Sequence, residues 1–291
     1  MPTPPPPPDR AQLIAPEPPE VLILSQGVRV GRLQKGGCSG SGRCKSVDMP
    51  DDYFGDDVAS TYDENSGTMF SPEVLGPTVD LLAELAGDGA ALEFAVGTGR
   101  VALPLAARGV PVSGIELSAA MVDRLKTKDG AHRVKVTIGD MASTRMAGSS
   151  SLVYLVFNTI GNLVTQDEQV ACFRNAAAHL EPGGHFLVEV GVPDLRRLPP
   201  GEDARVFAHS AGYVGYDHYV DLVAQQAVSL HVVYGDSGAR PSMTPFRYVW
   251  PSELDLMAKL AGMELRDRWA DWDRSRFSGD STSHVSVWEK L

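Results

Sequence analysis

ALEFAVGTGRVALPLAARGVPVSGIELSAAMVDRLK, residues 91–126, decides the fold. An apolar strand runs into Gly97-Thr98-Gly99, a helical segment follows, a second strand ends on Glu116, and a second helix begins. Glycine suits such a turn because a Cβ resists positive φ and blocks close approach of a ligand to the backbone. The helix start beyond it leaves N–H groups free for negative charge. Glu116, seventeen residues after Gly99, stands where nucleotide-binding α/β folds use an acid to accept hydrogen bonds from ribose hydroxyls.

Gly97-x-Gly99-x-x-Ala102 also suits a dinucleotide enzyme, so further signals are needed. Glu93 lies four residues before Gly97, where an ammonium group can pair with it. Gly139-Asp140-Met141 follows a third strand, VKVTIG, and offers a carboxylate near an adenine amine. With these residues the chain resembles the class I S-adenosylmethionine-dependent methyltransferases, from about Tyr62 to Leu291. The resemblance implies a Rossmann-like seven-stranded α/β sheet with helices on both faces. It also implies S-adenosylmethionine as cofactor: Glu93, Gly97 and Gly99 at its methionine end, Glu116 at the ribose, and Asp140 with Met141 at the adenine. Ala95, Leu117, Met121 and Phe157 complete the expected binding set.

Outward from that unit the alternation continues. Pro77–Ala86 reads as an amphipathic helix before it, and Val134–Ile138 as the third strand after it. Leu152–Phe157 (LVYLVF) is a continuous apolar run, as expected of a strand buried on both faces. Ligands of open α/β sheets bind at the carboxyl ends of strands, so Phe157 and Asn158 are expected to face the sulfonium and the nucleophile. The run FNTIG lacks the Pro-Pro-aromatic of enzymes that methylate nucleic-acid bases. Gln166–Leu180 is a helix with Thr165 or Asp167 as cap, Glu181–Gly184 a turn, and His185–Val190 the fifth strand. Residues 205–250 then change to strand after strand, an antiparallel insertion after strand five expected to roof the acceptor site. A helix, Leu254–Ala261, and two strands close the chain.

The N-terminal part differs. Residues 1–48, with Pro4–Pro8 and KGGCSGSGRCK, are expected to be a disordered tail ahead of a methyltransferase domain at 49–291; Met49 is an alternative start. Cys38 and Cys44 lack two further zinc ligands nearby. Residues 49–75 interleave tyrosines with acids, and Tyr53 and Tyr62 are candidates to line, with Phe157, an aromatic cage around a cationic acceptor.

A chain of 291 residues with 43% hydrophobic and 22% charged residues is ordinary for a globular protein. A net charge of −11 argues against a nucleic-acid surface, and no apolar run spans a bilayer. Three cysteines and no secretory signal point to the cytoplasm, and the acidic surface with an aromatic-rich insertion is compatible with a homo-oligomer. No paired-acid or His-Asp constellation marks a strong base, which favours a small-molecule amine over an oxygen acceptor, as in the actinomycete aminosugar and lincosamide N-methyltransferases that the chain resembles. The alternatives are an O-methyltransferase using His209, His218 or His231 of the insertion, a non-catalytic cofactor-binding protein, and a nicotinamide-dependent oxidoreductase.

Overall fold

A computed structural model describes residues 71–235 and 238–291, together with Ala59 and Asp63. Tyr53, Tyr62 and the tail 1–48 lie outside them, and all described residues fall in one unit. Helix α1 spans Pro72–Ala86, five residues longer at its start than the apolar spacing indicated. Pro72 occupies the first turn, where a missing N–H costs nothing, and exposed Pro77 forgoes a single helical bond. Leu75, Val79, Leu82 and Ala86 are its buried stripe.

The next units follow the reading: β1 (Ala91–Phe94), α2 (Ala102–Ala107), β2 (Val112–Glu116), α3 (Ala119–Lys126) and β3 (Val134–Ile138). Gly114 lets β2 pass β1, since a Cβ there would stand 2.7 Å from the Val96 side chain. Strand β4 (Ser150–Leu155) stops two residues before Phe157, because the chain leaves the extended region at Phe157. Thr165 caps α4 (Gln166–His179) in a full capping box with Glu168. Strand β5 runs Leu180–Gly191 and absorbs Glu181–Gly184, expected as a turn, in an irregular stretch opposite Ser150–Leu152.

The insertion is a second sheet of four strands in chain order: β6 (Ala204–Ser210), β7 (Tyr213–Asp221), β8 (Gln226–Gly235) and β9 (Gly238–Arg247). Helix α5 (Pro251–Leu260), β10 (Met263–Trp269) and β11 (Ser283–Lys290) end the chain. The main sheet has the order β10-β11-β5-β4-β1-β2-β3, with β11 antiparallel to both neighbours and the pairs from β5 through β3 parallel. The chain winds outward from β1 to β3, then returns to β4 on the other side of β1. The crevice between the carboxyl ends of β1 and β4 is therefore the switch point at which such sheets bind ligands.

Alternate residues of each strand feed two cores. Leu92, Phe94, Val153, Leu155, Phe186, Val188 and Trp288 meet α4 and α5. Ala91, Leu152, Tyr154, Leu187, Val285 and Val287 meet α1, α2 and α3. Burying each Leu side chain contributes about 1.5–3 kcal/mol. Cys172 lies inside the first core as a packing residue, its thiol pushed up by burial.

The second sheet is tied to the first through a polar knot. Arg247, 3% exposed, donates to Gln169 Oε1 on α4 at 2.5 Å and to Glu253 Oε1 on α5 at 2.7 Å. Gln169 Nε2 donates to the carbonyls of Ile160, Leu163 and Arg247. The loop after β4 is thereby held against the end of β9. Gly161 packs there with room for a Cβ only 3.4 Å from the Arg247 carbonyl.

Candidate active site

The glycine turn is shaped by positive φ at Gly97 (56°), Gly99 (81°) and, without the freedom of glycine, Ala95 (52°). A non-glycine residue held there costs on the order of 1–3 kcal/mol, a strain characteristic of ligand clamps. A Cβ on Gly99 would sit 3.0 Å from Leu103 and Leu125, so that glycine lets the turn close on α2 and α3. A Cβ on Gly97 would meet nothing nearer than the Ala95 carbonyl at 4.0 Å; the space above Gly97 is open for a ligand.

Glu116 reaches back from the end of β2 to this turn. Its Oε2 accepts from Gly97 N–H at 2.7 Å and its Oε1 from Ser118 N–H at 2.9 Å. Burial raises its pKa, and the amide donors oppose that rise. A carboxylate has about four acceptor sites, so each oxygen retains capacity for a hydroxyl donor. Thr98 Oγ1 donates to Asp63 Oδ1 at 2.7 Å, and Lys128 Nζ lies 2.7 Å from Asp63 Oδ2. Thus one acid from the segment ahead of α1 is fastened to the turn.

Glu93 is 3% exposed beneath the turn and accepts from Tyr154 Oη at 2.9 Å. Burial pushes its carboxyl up to about 8, against the pull of the Tyr154 hydroxyl and the Arg100 charge. A buried acid of this kind is stabilised by a cation. At the other end, Leu117 (69% exposed) and Ile138 (55%) leave apolar side chains open beside the ends of β2 and β3, the surface a flat base would cover. Asp140 is exposed there, with Oδ1 accepting from Ala142 N–H at 2.7 Å. The donor set fits S-adenosylmethionine: a cation-seeking acid, an open glycine cradle, a hydroxyl-accepting carboxylate and an apolar lip.

Two expected binding residues are placed differently. Met121 is buried, and its N–H donates to Ser118 Oγ at 3.2 Å, so it serves the start of α3. The Met141 side chain belongs to the core, and its carbonyl accepts from Asn175 Nδ2 at 2.7 Å. Both were singled out by position, and burial decides otherwise for their side chains.

Phe157 and Asn158 are both left-handed, at φ 63° and 59°. Glu189 on β5 holds them: its Oε2 accepts from Phe157 N–H at 2.9 Å and its carbonyl from Asn158 N–H at 3.2 Å. Asn158 Oδ1 returns the contact by accepting from Gly191 N–H at 2.6 Å. The bend turns the Phe157 ring outward, 38% exposed, with the Arg100 guanidinium 5.1 Å from its centroid.

Beyond these two residues opens a cavity of 470 Å³ between the ends of β4 and β5 and one face of the second sheet. Asp217, Ser229, His231, Thr244 and Phe246 line it from the sheet, with Arg205 and Asp194 at its side. Of the three histidines considered in the insertion, only His231 lines it: His209 is exposed, and His218 pairs with Asp203 at 3.3 Å. Burial raises the pKa of Asp217, opposed by Ser229, His231 and Arg205.

Sequence reading missed Arg100, Glu189 and Asp217. Arg100 carried a usable signal, a cation directly after Gly-x-Gly. Glu189 and Asp217 carried none, because their roles arise from which strand ends meet.

Comparison with known proteins agrees with this geometry. The family described as "Methyltransferase domain" matches residues 91–184, the glycine turn through the start of β5. The cypemycin N-terminal methyltransferase of a Streptomyces species is 27% identical over 217 residues, 71% of this chain and 88% of that protein. The CcbJ methyltransferase of Streptomyces caelestis is 36% identical, with a TM-score of 0.75, covering 84% of this chain and 100% of that one. CalS10 from Micromonospora echinaspora, solved with S-adenosylmethionine bound, shares the fold at 20% identity and a TM-score of 0.59, covering 85% of this chain and 100% of that one. With a relative of such identity matched over its whole length, this chain belongs to the class I S-adenosylmethionine-dependent methyltransferase family.

Proposed function

We propose that the enzyme methylates an amine nitrogen of a small molecule, as a step in the making of an antibiotic-type secondary metabolite. The observation that carries this reading is the cavity beyond Phe157 and Asn158, with the Asp217 carboxylate half-buried in its wall. A partly desolvated carboxylate beside aromatic rings attracts an ammonium group. The volume suits a small molecule or a chain end rather than a folded partner. The relatives' names agree in kind: one acts at a peptide N-terminus, and another is an amino pentose methyltransferase.

S-adenosylmethionine supplies an activated methyl on sulfonium sulfur, and the protein's task is to orient the acceptor and exclude water. Asn158 and Glu189 fix the bend that presents the Phe157 ring, and the second sheet closes the far side. Tyr53 and Tyr62 are proposed to complete the aromatic wall from the segment before α1. A cytoplasmic location and a homo-oligomer belong to the same proposal; among the described residues no helix is long and apolar enough to cross a membrane. His231 in the cavity wall favours a second reading, transfer to a hydroxyl.

The test is incubation with S-adenosylmethionine and paired acceptors that differ only in an amine or a hydroxyl, read by mass spectrometry. A gain of one methyl on the amines alone supports the first reading. Gain on the hydroxyls alone transfers the assignment to the second.

A further inference from the structure

The polar face of the second sheet is built around one residue. His231 on β8 stands opposite Gly215 on β7 and Ser242 on β9. Gly215 matters because a Cβ there would lie 2.5 Å from the Phe207 ring and 2.6 Å from Tyr213 Oη. Its absence lets both rings close over the imidazole: Phe207 meets it edge-on at 5.6 Å between centroids, and Tyr213 lies at 5.9 Å. Tyr213 Oη is 2.6 Å from His231 Nδ1, and Ser229 Oγ is 3.3 Å from Nε2. Two residues along, on the same face, Asp217 stands opposite Ser229 across the same pair of strands. Asp217, Ser229 and His231 all line the 470 Å³ cavity.

We propose that His231 is the proton acceptor for the methyl acceptor, with Tyr213 as its positioning residue and Asp217 as the anchor for the incoming ammonium. This rests on the amine reading above. An amine enters the cavity mostly as ammonium, whose nitrogen has no lone pair to give. In the step proposed, one N–H bond of the ammonium breaks and its electron pair stays on nitrogen. The proton goes to His231 Nε2 and converts the imidazole to imidazolium, which later loses it to solvent. The tautomer in this step has Nδ1–H donating to Tyr213 Oη, which leaves Nε2 as the acceptor.

The charges around His231 support that role. From β7 it faces Tyr213 and Asp217; on β6, Arg205 stands opposite Asp217, lines the same cavity and pairs with Asp194 at 2.8 Å. From β9 the ionisable residue on the same face is exposed Arg240, one register step beyond Ser242. Burial lowers the His231 pKa, which favours the neutral ring, and the Asp217 charge partly opposes that lowering.

The experiment is the pH profile of kcat with a saturating amine acceptor for wild type, His231→Gln and Tyr213→Phe. Titration of each with S-adenosylmethionine serves as a folding control. The expected result is a loss of about 10²–10⁴ in kcat for His231→Gln. The acid limb of its profile should also move up toward the ammonium pKa of the free acceptor. Tyr213→Phe should lose less and shift the limb the same way. A packing role alone lowers kcat without moving the limb, and that outcome overturns the proposal, as does an unchanged kcat. If His231→Gln fails the folding control, the Tyr213→Phe limb decides. If wild type methylates hydroxyls and no amine, the amine reading fails and this proposal with it.

Discussion

The two halves of the active site are built in opposite ways. The cofactor half comes from consecutive strand–helix units between Glu93 and Asp140: a glycine turn open above Gly97, and a Glu116 carboxylate fastened to that turn by the N–H groups of Gly97 and Ser118. The half proposed to take the acceptor gathers Phe157 and Asn158 after β4, Glu189 from β5, and side chains of Asp217 and His231 from a separate sheet. A site whose carboxylate is clamped by the backbone of the turn is hard to alter without breaking the turn. A side-chain site on one face of β6–β9 can change its acceptor without touching the turn. Under the proposed function, chemistry common to methyl transfer belongs to one half and selectivity to the other.

The comparison is most severely tested where the halves are joined. Arg247→Leu takes the cation from Glu253, which keeps only the amides of Gln166 and Gln225, and strips Gln169 Oε1 of its donor; it should cost about 3–5 kcal/mol in chemical denaturation. A cost below about 1 kcal/mol would mean that the second sheet is held by other contacts. Next comes Glu116→Ala, which should weaken S-adenosylmethionine by about 1.5–3 kcal/mol while leaving the KM of the acceptor alone. A raised acceptor KM with an unchanged cofactor affinity would reverse the assignment of the halves.

Glu93 gives a pH signature confined to the cofactor half. Burial holds its folded pKa at about 8, above the ordinary 4.5, so the folded protein keeps a proton that the unfolded chain has lost. Stability without cofactor should therefore fall as pH rises between those values, by up to about 1.4 kcal/mol per pH unit, and level off above pH 8. In Glu93→Gln that slope should vanish; its persistence would place the titrating group elsewhere. The smallest effect is expected at Thr165→Ala, about 1 kcal/mol from loss of the capping box at a helix none of whose residues lines the cavity. Kinetic constants should stay at wild-type values, and a change in either would extend the site to the start of α4.

The same contrast explains what could be read from sequence. Glu93, Gly97, Gly99, Glu116 and Asp140 are local punctuation within a strand–turn–helix rhythm, so their places at the carboxyl ends of β1, β2 and β3 followed from spacing. The insertion was legible as strands because its residues alternate. Which face looks into the cavity was not, since that depends on how Arg247, Gln169 and Glu253 seat the sheet. Phe157 and Asn158 were found as strand-end residues, but their left-handed bend was not: Asn tolerates that region, whereas Phe157 gives no sign of it as glycine would. Met121 and Met141 show the converse: position in a motif does not reveal whether a long apolar side chain turns to the ligand or to the core.

The most direct measurement is a calorimetric titration of S-adenosylmethionine into wild type, Glu116→Ala and Asp217→Asn. Two independently built halves predict equal affinity for wild type and Asp217→Asn, and at least tenfold weaker binding for Glu116→Ala. Weakened binding in Asp217→Asn, or unchanged binding in Glu116→Ala, would contradict the division on which the whole reading of the site stands.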